Sequence, residues 1–173
     1  MCSRFINGTF ATNRTQKMKY TRLTKEQFEE LHQEFAKFLA TQSIDAKEWE
    51  QFKKDKPQLA EEELDVFSDL VWEDALSRIE YVENRSKDQL FLFHFAEKEI
   101  DLLLLKILNT DIDANTAEGI SYIDKNLQTD EVQLFTSNKA YSEDANMDKF
   151  KLIQQGSLVT EGELFRHFKK RLS

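Results

Sequence analysis

The chain has 173 residues and a net charge of −8, and its composition is 40% hydrophobic and 12% aromatic, with 14 Phe. This content excludes intrinsic disorder, which requires few aromatic and apolar residues. Four Gly and one Pro exclude collagen-like and loop-rich repeat architectures, and a single Cys excludes a disulfide framework or a cysteine-ligated zinc site. The length fits one folded domain with its own core.

The first 17 residues differ from the rest of the chain. They contain no acidic residue and little apolar periodicity, whereas Met18 begins a segment of mixed charge. We predict that residues 1–17 are a flexible or spurious extension and that residues 18–173 form a single α+β domain. No window reaches the roughly 18 apolar residues of a membrane helix, and the N-terminus lacks the apolar stretch of a secretory signal. A cytoplasmic protein without membrane contact is expected.

Helices are predicted in the first half of the chain. Two capping-box patterns, Thr24 with Gln27 and Asp45 with Glu48, precede amphipathic segments. The first of these segments carries one apolar stripe at helical spacing, and it is predicted to form a single helix: Phe28, Leu31, Phe35, Leu39.

The longest element is predicted to begin at Pro57, a residue that suits the first turn of a helix. Its apolar residues follow helical spacing to about Val82, which predicts a central buried helix. A polar turn is predicted over residues 84–88.

Strands are predicted after this turn. Two apolar runs, residues 89–95 and 100–108, flank the charged tetrapeptide 96–99, which predicts an antiparallel hairpin. One more buried helix is the alternative, because leucine runs also favour helices. The near-continuous apolarity predicts that both faces of the hairpin are largely covered. Residues 131–136 alternate and predict a third strand.

The C-terminal half is completed by three predicted helices, whose N-caps are Thr116, Ser142 and Thr160. Thr160 forms a further capping box with Glu163, and Gly156 is predicted to end the second of the three helices. The predicted fold class is therefore α+β, with several helices packed on a small, mainly antiparallel three-stranded sheet.

Charge is unevenly distributed. Residues 1–25 carry +6 and residues 166–173 carry +4, which leaves −18 on residues 26–165. An acidic body repels phosphate, so nucleic acid is an unlikely partner except at the basic ends. The C-terminal cations could contact phosphate, but they would also complement the dipole of a helix in its last turn, and this structural interpretation is favoured. These cations are Arg166, Lys169, Lys170 and Arg171.

Few residues suggest catalysis. No P-loop, Gly-x-Gly-x-x-Gly or Gly-x-Ser-x-Gly motif is present, so no cofactor is predicted. The weak catalytic candidates are His94, which lies in an apolar strand, and Asp69 and Glu73, whose spacing of four on a helix could bind one hard cation. A hydrogen-bonded histidine and a solvated acidic face are the favoured interpretations, because the Glu-x-x-His pairing of helical metal sites is missing. No metal site is predicted.

Three segments, residues 18–29, 63–73 and 148–156, resemble an uncharacterised family of small proteins from Bacteroidetes-type bacteria. The resemblance runs from Met18 to near the C-terminus and implies no catalytic residues. Some family members carry the label histidyl-tRNA synthetase. This label does not suit the chain, because the ATP-binding catalytic domain of a class II synthetase is larger than the whole protein.

The predicted function is non-enzymatic and consists of binding an unidentified protein or a second copy of the chain. Homodimerisation through a strand edge or the long helix is a specific version. The candidate interface is aromatic, although the same residues could simply fill the core: Phe38, Trp49, Phe52, Trp72. One alternative is a small metal-dependent hydrolase or nucleotide-handling enzyme that uses Asp69, Glu73 and His94. A second alternative is RNA or ribosome association through the basic termini.

Overall fold

The computed structural model describes residues 17–173. The chain divides into two compact units, residues 1–69 and 70–173. The predicted N-terminal extension lies, apart from Lys17, outside the described residues, and the single domain over residues 18–173 stays a prediction.

Seven helices and five strands are formed within residues 17–173. The helices are α1 (Lys25–Glu30), α2 (His32–Thr41), α3 (Ala46–Asp55), α4 (Pro57–Ser77), α5 (Ala117–Asn126), α6 (Ala145–Gln154) and α7 (Glu163–Arg171). The strands are β1 (Tyr81–Arg85), β2 (Gln89–Phe95), β3 (Glu99–Ile107), β4 (Val132–Ala140) and β5 (Leu158–Thr160).

The first unit begins its helices as the sequence predicts. Thr24 accepts a hydrogen bond from the Gln27 amide, Asp45 accepts one from the Glu48 amide, and both capping boxes are complete. The single helix predicted after Thr24 is instead divided at Leu31, where φ is −97° and ψ is 21°. The start of the longest helix at Pro57 is confirmed.

The second unit contains one antiparallel sheet with strand order β4-β3-β2-β1-β5. The α+β class and the hairpin of β2 with β3 are confirmed. The expectation of a three-stranded sheet is wrong, because β1 and β5 add two strands to the three predicted.

The strand β1 replaces the predicted end of the long helix. Helix α4 ends at Ser77 rather than near Val82, and Val82 pairs with Phe93 of β2. Ile79 and Val82 keep a spacing of three, so their apolar pattern continues that of the helix although the backbone has become extended. The polar turn is also shorter than predicted, because Asn84 and Arg85 belong to β1.

Two predicted N-caps differ from the observed ones. Thr160 ends β5 instead of capping a helix, and α7 begins after Gly162, whose φ of 75° lies in the left-handed region. Helix α6 is capped by Asp144, which accepts from the Met147 amide, rather than by Ser142. The cap of α5 by Thr116 is confirmed. Gly156 with φ of 93° follows the end of α6, as predicted.

The two faces of the sheet are covered to different degrees. One face, called the core face below, packs with α5 and α7 and is buried at its centre. Its central residues are Leu90, Leu92, Leu103 and Leu105, and Ile123 and Phe168 belong to the same cluster. The opposite face, called the second face below, is only half-buried at Phe91, Phe93, Leu102 and Leu104. The expectation that both faces of the hairpin are largely covered therefore holds for the core face and only partly for the second face.

Candidate functional site

The strand β4 forms an edge of the sheet, because in the described part of the chain it is bonded only to β3. It has nine residues, and the seven that are exposed include Phe135, which keeps 53% of its surface exposed. Natural sheets protect such edges with prolines, bulges or several charges. Within β4, Lys139 is the one charged residue and no proline occurs, so the edge is long and weakly protected.

Alternate residues of β4 point their backbone groups away from the sheet. The amide of Leu108 donates to the carbonyl of Glu131 at 3.0 Å, which makes residues 108 and 131 a hydrogen-bonded pair. Because such pairs alternate along an antiparallel ladder, odd-numbered residues of β4 bond to β3 and even-numbered residues face outward. In the part of the chain that the structure describes, the free N–H groups at this edge therefore belong to Leu134, Thr136 and Asn138, whereas the N–H of Val132 donates to the carbonyl of Thr129 at 3.5 Å.

Apolar side chains cover the second face next to this edge. Phe135 lies across from Leu104, which lies across from Phe91, so the three form one row from the edge inward. In the next row Ser137 lies across from Leu102, which lies across from Phe93. Ser137 is the smallest side chain among its neighbours in β4 on this face, so it leaves space between larger residues.

A cleft of about 290 Å³ lies between the second face and α6. Its lining residues come from β2, β3, β4, α6 and the C-cap of α6: Phe93, Ile100, Leu102, Ser137, Lys139, Asp148, Lys151, Leu152, Gln155. Asp148 accepts hydrogen bonds from the amide and the hydroxyl of Ser142 at 2.8 and 2.9 Å, so its carboxylate is already engaged. Because Ser137 and Lys139 belong to β4, the cleft extends to the open edge.

His94 lies on the core face, where it is half-buried. Its Nδ1 atom is 3.2 Å from Oδ2 of Asp101, its neighbour on β3, and its ring stacks on Tyr81 with 4.8 Å between ring centroids. Phe165 of α7 packs against the same imidazole at 5.3 Å. The imidazole thus contacts one carboxylate and two aromatic rings, and its role stays a prediction.

The two acidic candidates have other partners. In the first unit, Asp69 accepts hydrogen bonds from the backbone amides of Lys19 and Tyr20 at 2.7 and 2.9 Å, which ties residues 19–20 to α4. In the second unit, Glu73 accepts a hydrogen bond from the side-chain amide of Asn146 at 2.9 Å. Neither of these contacts involves His94.

Three of the four predicted interface aromatics pack inside the first unit. Trp49 keeps 9% of its surface exposed, and Phe38 and Phe52 pack against the cluster to which it belongs. Phe35 meets Trp49 edge to face with 5.4 Å between ring centroids, and Trp49 stacks on Phe52 with 5.9 Å between ring centroids. In the second unit, the half-buried Trp72 meets Phe150 edge to face at 5.1 Å. Their role as an interface stays a prediction.

The basic residues near the C-terminus are exposed on α7. The guanidinium of Arg166 lies 5.2 Å from the ring centroid of Tyr81, and Arg171 pairs with Asp124 at 3.3 Å. Lys169 and Lys170 lie with Arg171 in the last turn of α7, where positive charge complements the helix dipole. Arg166 lies in the first half of α7 and not in its last turn, so the dipole argument applies to three of the four cations, and the role of the basic cluster stays a prediction.

The buried side chain of Lys149 is a feature that sequence periodicity did not identify. It keeps 7% of its surface exposed, and its ammonium donates to the carbonyl of Leu76 at 2.9 Å. The same ammonium lies 5.3 Å from the ring centroid of Phe95. The Leu76 carbonyl in the last turn of α4 thus accepts two hydrogen bonds, one from the Ile79 amide at 3.2 Å and one from Lys149, whose positive charge also complements the negative end of the helix dipole.

Burial lowers the pKa of Lys149, and the negative charge of Glu80 partly opposes this effect. The folded chain therefore binds fewer protons than the unfolded chain between the lowered pKa and the ordinary value of 10.5, so the free energy of unfolding rises with pH in that range. We expect the wild type to gain stability relative to Lys149→Met as pH rises toward the ordinary lysine pKa of 10.5, by at most about 1.4 kcal/mol per pH unit. Urea unfolding at several pH values measures this difference. For the exposed Lys151→Met variant on the same helix, the difference in free energy of unfolding from the wild type should not change with pH. The same pH dependence in both variants would contradict a lowered pKa at Lys149.

Within residues 17–173, no group of three or more His, Cys, Asp or Glu side chains is placed to hold a metal ion. None of the helices in the same range combines the length and the apolarity required to cross a bilayer.

These features define a mixed helix-and-strand protein whose antiparallel sheet has one long open edge. Residues 18–173 match the family of unknown function DUF6495, and the chain therefore belongs to that family. The match includes every helix and strand given above and confirms the resemblance to an uncharacterised family, while its bacterial setting stays an expectation. No curated protein and no solved structure matches the chain.

Proposed function

We propose that the protein acts without catalysis, by binding an extended segment of another protein chain along the open edge of β4. The single observation that supports this proposal is the nine-residue edge strand with Phe135 exposed beside it. An added strand would pair with the outward-facing backbone groups of β4, and this pairing supplies affinity in β-strand addition. Pockets beside β4 that accept alternate side chains of the added strand would make the binding specific.

The second face supplies such a pocket. Side chains of an added strand alternate between the two faces, so every second one would lie beside the row of Phe135 or the row of Ser137. The cleft begins next to Ser137 and is lined by Leu102 and Phe93, which suits an apolar side chain. Aromatic and aliphatic residues in such pockets commonly dominate the affinity of protein interfaces.

The test is site-specific photocrosslinking in the cells that produce the protein. A benzophenone amino acid at Asn138, on the open edge, should yield covalent adducts, whereas the same group at the exposed Lys170 of α7 should not. Adding Thr136→Pro should abolish the adducts, because proline removes a central outward-facing N–H and is tolerated on an edge strand.

Far-UV circular dichroism verifies that the Thr136→Pro variant is folded. Should it unfold, Phe135→Ser serves as the second edge variant, because it removes the exposed ring and leaves the backbone unchanged. Adducts that form equally at Asn138 and Lys170, or that persist in both edge variants, would contradict the proposal.

A further inference from the structure

We infer that the extended segment that pairs with β4 is the β4 strand of a second copy of this chain, antiparallel about a two-fold axis at Thr136. This inference rests on the proposed function and names its partner. Three properties of β4 support it: the direction of its backbone groups, the side chains that its own sequence would bring together, and its charge.

The backbone permits this pairing along the whole strand. A two-fold axis at Thr136 places Thr136 opposite itself, Leu134 opposite Asn138, and Val132 opposite Ala140. All of these residues are even-numbered, and even-numbered residues of β4 face outward, so the pairs of Thr136 and of Leu134 with Asn138 can exchange both hydrogen bonds. At the strand ends, where the Val132 N–H already donates to Thr129, the Val132 carbonyl can still accept from the Ala140 amide of the other copy. Because Thr136 is the middle residue of β4, this register uses all nine residues.

The side chains on the second face are self-complementary in the same register. Phe135 of one copy lies opposite Ser137 of the other, so the exposed aromatic ring meets the smallest side chain of the facing strand. Since Ser137 and its neighbour Leu102 line the cleft, the ring of the second copy can cover the open end of the cleft. The two-fold axis repeats this contact, so both exposed rings become buried.

The rows of the sheet also continue across the axis. The row Phe91, Leu104 and Phe135 of one copy meets the row Ser137, Leu102 and Phe93 of the other. These rows form one apolar band that is broken only by a serine. Burial of apolar surface that is half-exposed in one copy provides the driving force for association.

The charges within β4 do not oppose the pairing of two copies. Lys139, the one charged residue of β4, lies opposite Gln133 of the second copy, and no like charges face each other directly along the strand. Thr136 meets Thr136, a favourable cross-strand pair. A shift of the two-fold axis by one residue would place Phe135 opposite either Phe135 or Lys139 and would leave residues at the strand ends without partners. Of these registers, the one centred on Thr136 therefore pairs the largest number of β4 residues.

Sedimentation velocity of the purified full chain from about 1 to about 100 μM tests the association. We expect a dimer whose dissociation constant rises at least about tenfold in Phe135→Ser and in Ser137→Trp, which occupies the position of the facing ring. The matched control is Leu158→Ser, which replaces an exposed residue on β5, the opposite edge, and should leave the dissociation constant unchanged. A monomer at the highest concentration would overturn the inference, as would a dimer weakened by Leu158→Ser instead.

Disulfide formation tests the register. In a Cys2→Ser background, Thr136→Cys should form an intermolecular disulfide, because opposed residues in a hydrogen-bonded pair have Cα atoms about 5.5 Å apart. Asn138→Cys should form no such disulfide, because residue 138 of each copy lies opposite Leu134 of the other copy and the two cysteines are far apart. Preferential crosslinking of Asn138→Cys would overturn the register. A chain that is monomeric, yet forms photocrosslinked adducts with another protein at β4, would refute the second copy as partner and keep the proposed function.

Discussion

Gly119→Ala should lower the free energy of unfolding by about 3 kcal/mol, because overpacking against backbone atoms is costly. Gly119 lies buried in the first turn of α5, where an added Cβ would stand 1.9 Å from the carbonyl oxygen of Asp113 and 3.0 Å from Cα of Ala114. The Asp113 carbonyl cannot move away freely, because it accepts hydrogen bonds from the amide and hydroxyl of Thr116 at 3.1 and 2.8 Å. Relief of the clash would disrupt the cap of α5.

Urea unfolding followed by far-UV circular dichroism measures this loss. The control is Ser121→Ala, an exposed position in the same helix, where alanine should be neutral or slightly stabilising because of its higher helix propensity. Equal stability of the two variants would mean that the loop before α5 is free to move, in contradiction to the contacts of Asp113.

Phe168→Ala should lower the free energy of unfolding by about 3–5 kcal/mol, which is the range for truncating a fully buried phenylalanine. The Phe168 side chain has no exposed surface and belongs to the cluster between α7 and the core face of the sheet. The same cluster includes Leu92 of β2 and Ile123 of α5. Alanine would leave a cavity that these residues can fill only partly, because interiors are closely packed.

Thermal unfolding of a graded pair measures the cavity effect. Phe168→Leu retains most of the apolar volume and should cost less than Phe168→Ala, and the exposed Lys169→Ala variant on the same helix should stay near the wild type. A loss in Phe168→Ala no larger than that in Lys169→Ala would contradict the placement of α7 on the core face.

Local signals predicted the elements that the chain forms independently of distant contacts. The caps at Thr24, Asp45 and Thr116 were predictable because a capping side chain bonds to an amide only two or three residues away. The β2–β3 hairpin was predictable because a short charged connection joins two apolar runs. Each of these signals lies within a few residues of the structure that it specifies.

The errors occur where distant pairing decides the conformation. Strand β1 follows the end of α4 closely, and only its pairing with β2 and β5 separates it from the helical pattern before it. The three residues of β5 are too few for an alternation to be visible, and Thr160 at its end imitates a helix cap. Neither strand has a local signal that exceeds the competing one.

The candidate site had a signal that was open to a different interpretation. The continuous apolarity of β2 and β3 predicts coverage on both faces, but the second face is only half-buried at Phe91 and Leu104. In the alternating strand β4, Val132 and Leu134 lie on the apolar side, and Phe135 lies on the side that is otherwise polar. This apolar residue on the polar side was the sequence signal for the exposed surface. Strand order, and with it the position of β4 at an edge, is a property of the whole sheet that no short segment encodes.

In the dimer that we infer through β4, the brevity of β5 would limit further growth of the assembly. The sheet has two edges, and at the one opposite β4 only three residues, Leu158–Thr160, are extended, which is too little to hold another chain firmly. A contact that uses one edge of each molecule and repeats by a two-fold rotation closes on itself, whereas a contact between two different edges would propagate into a filament. The unequal lengths of the two edges therefore favour a finite particle over a fibre.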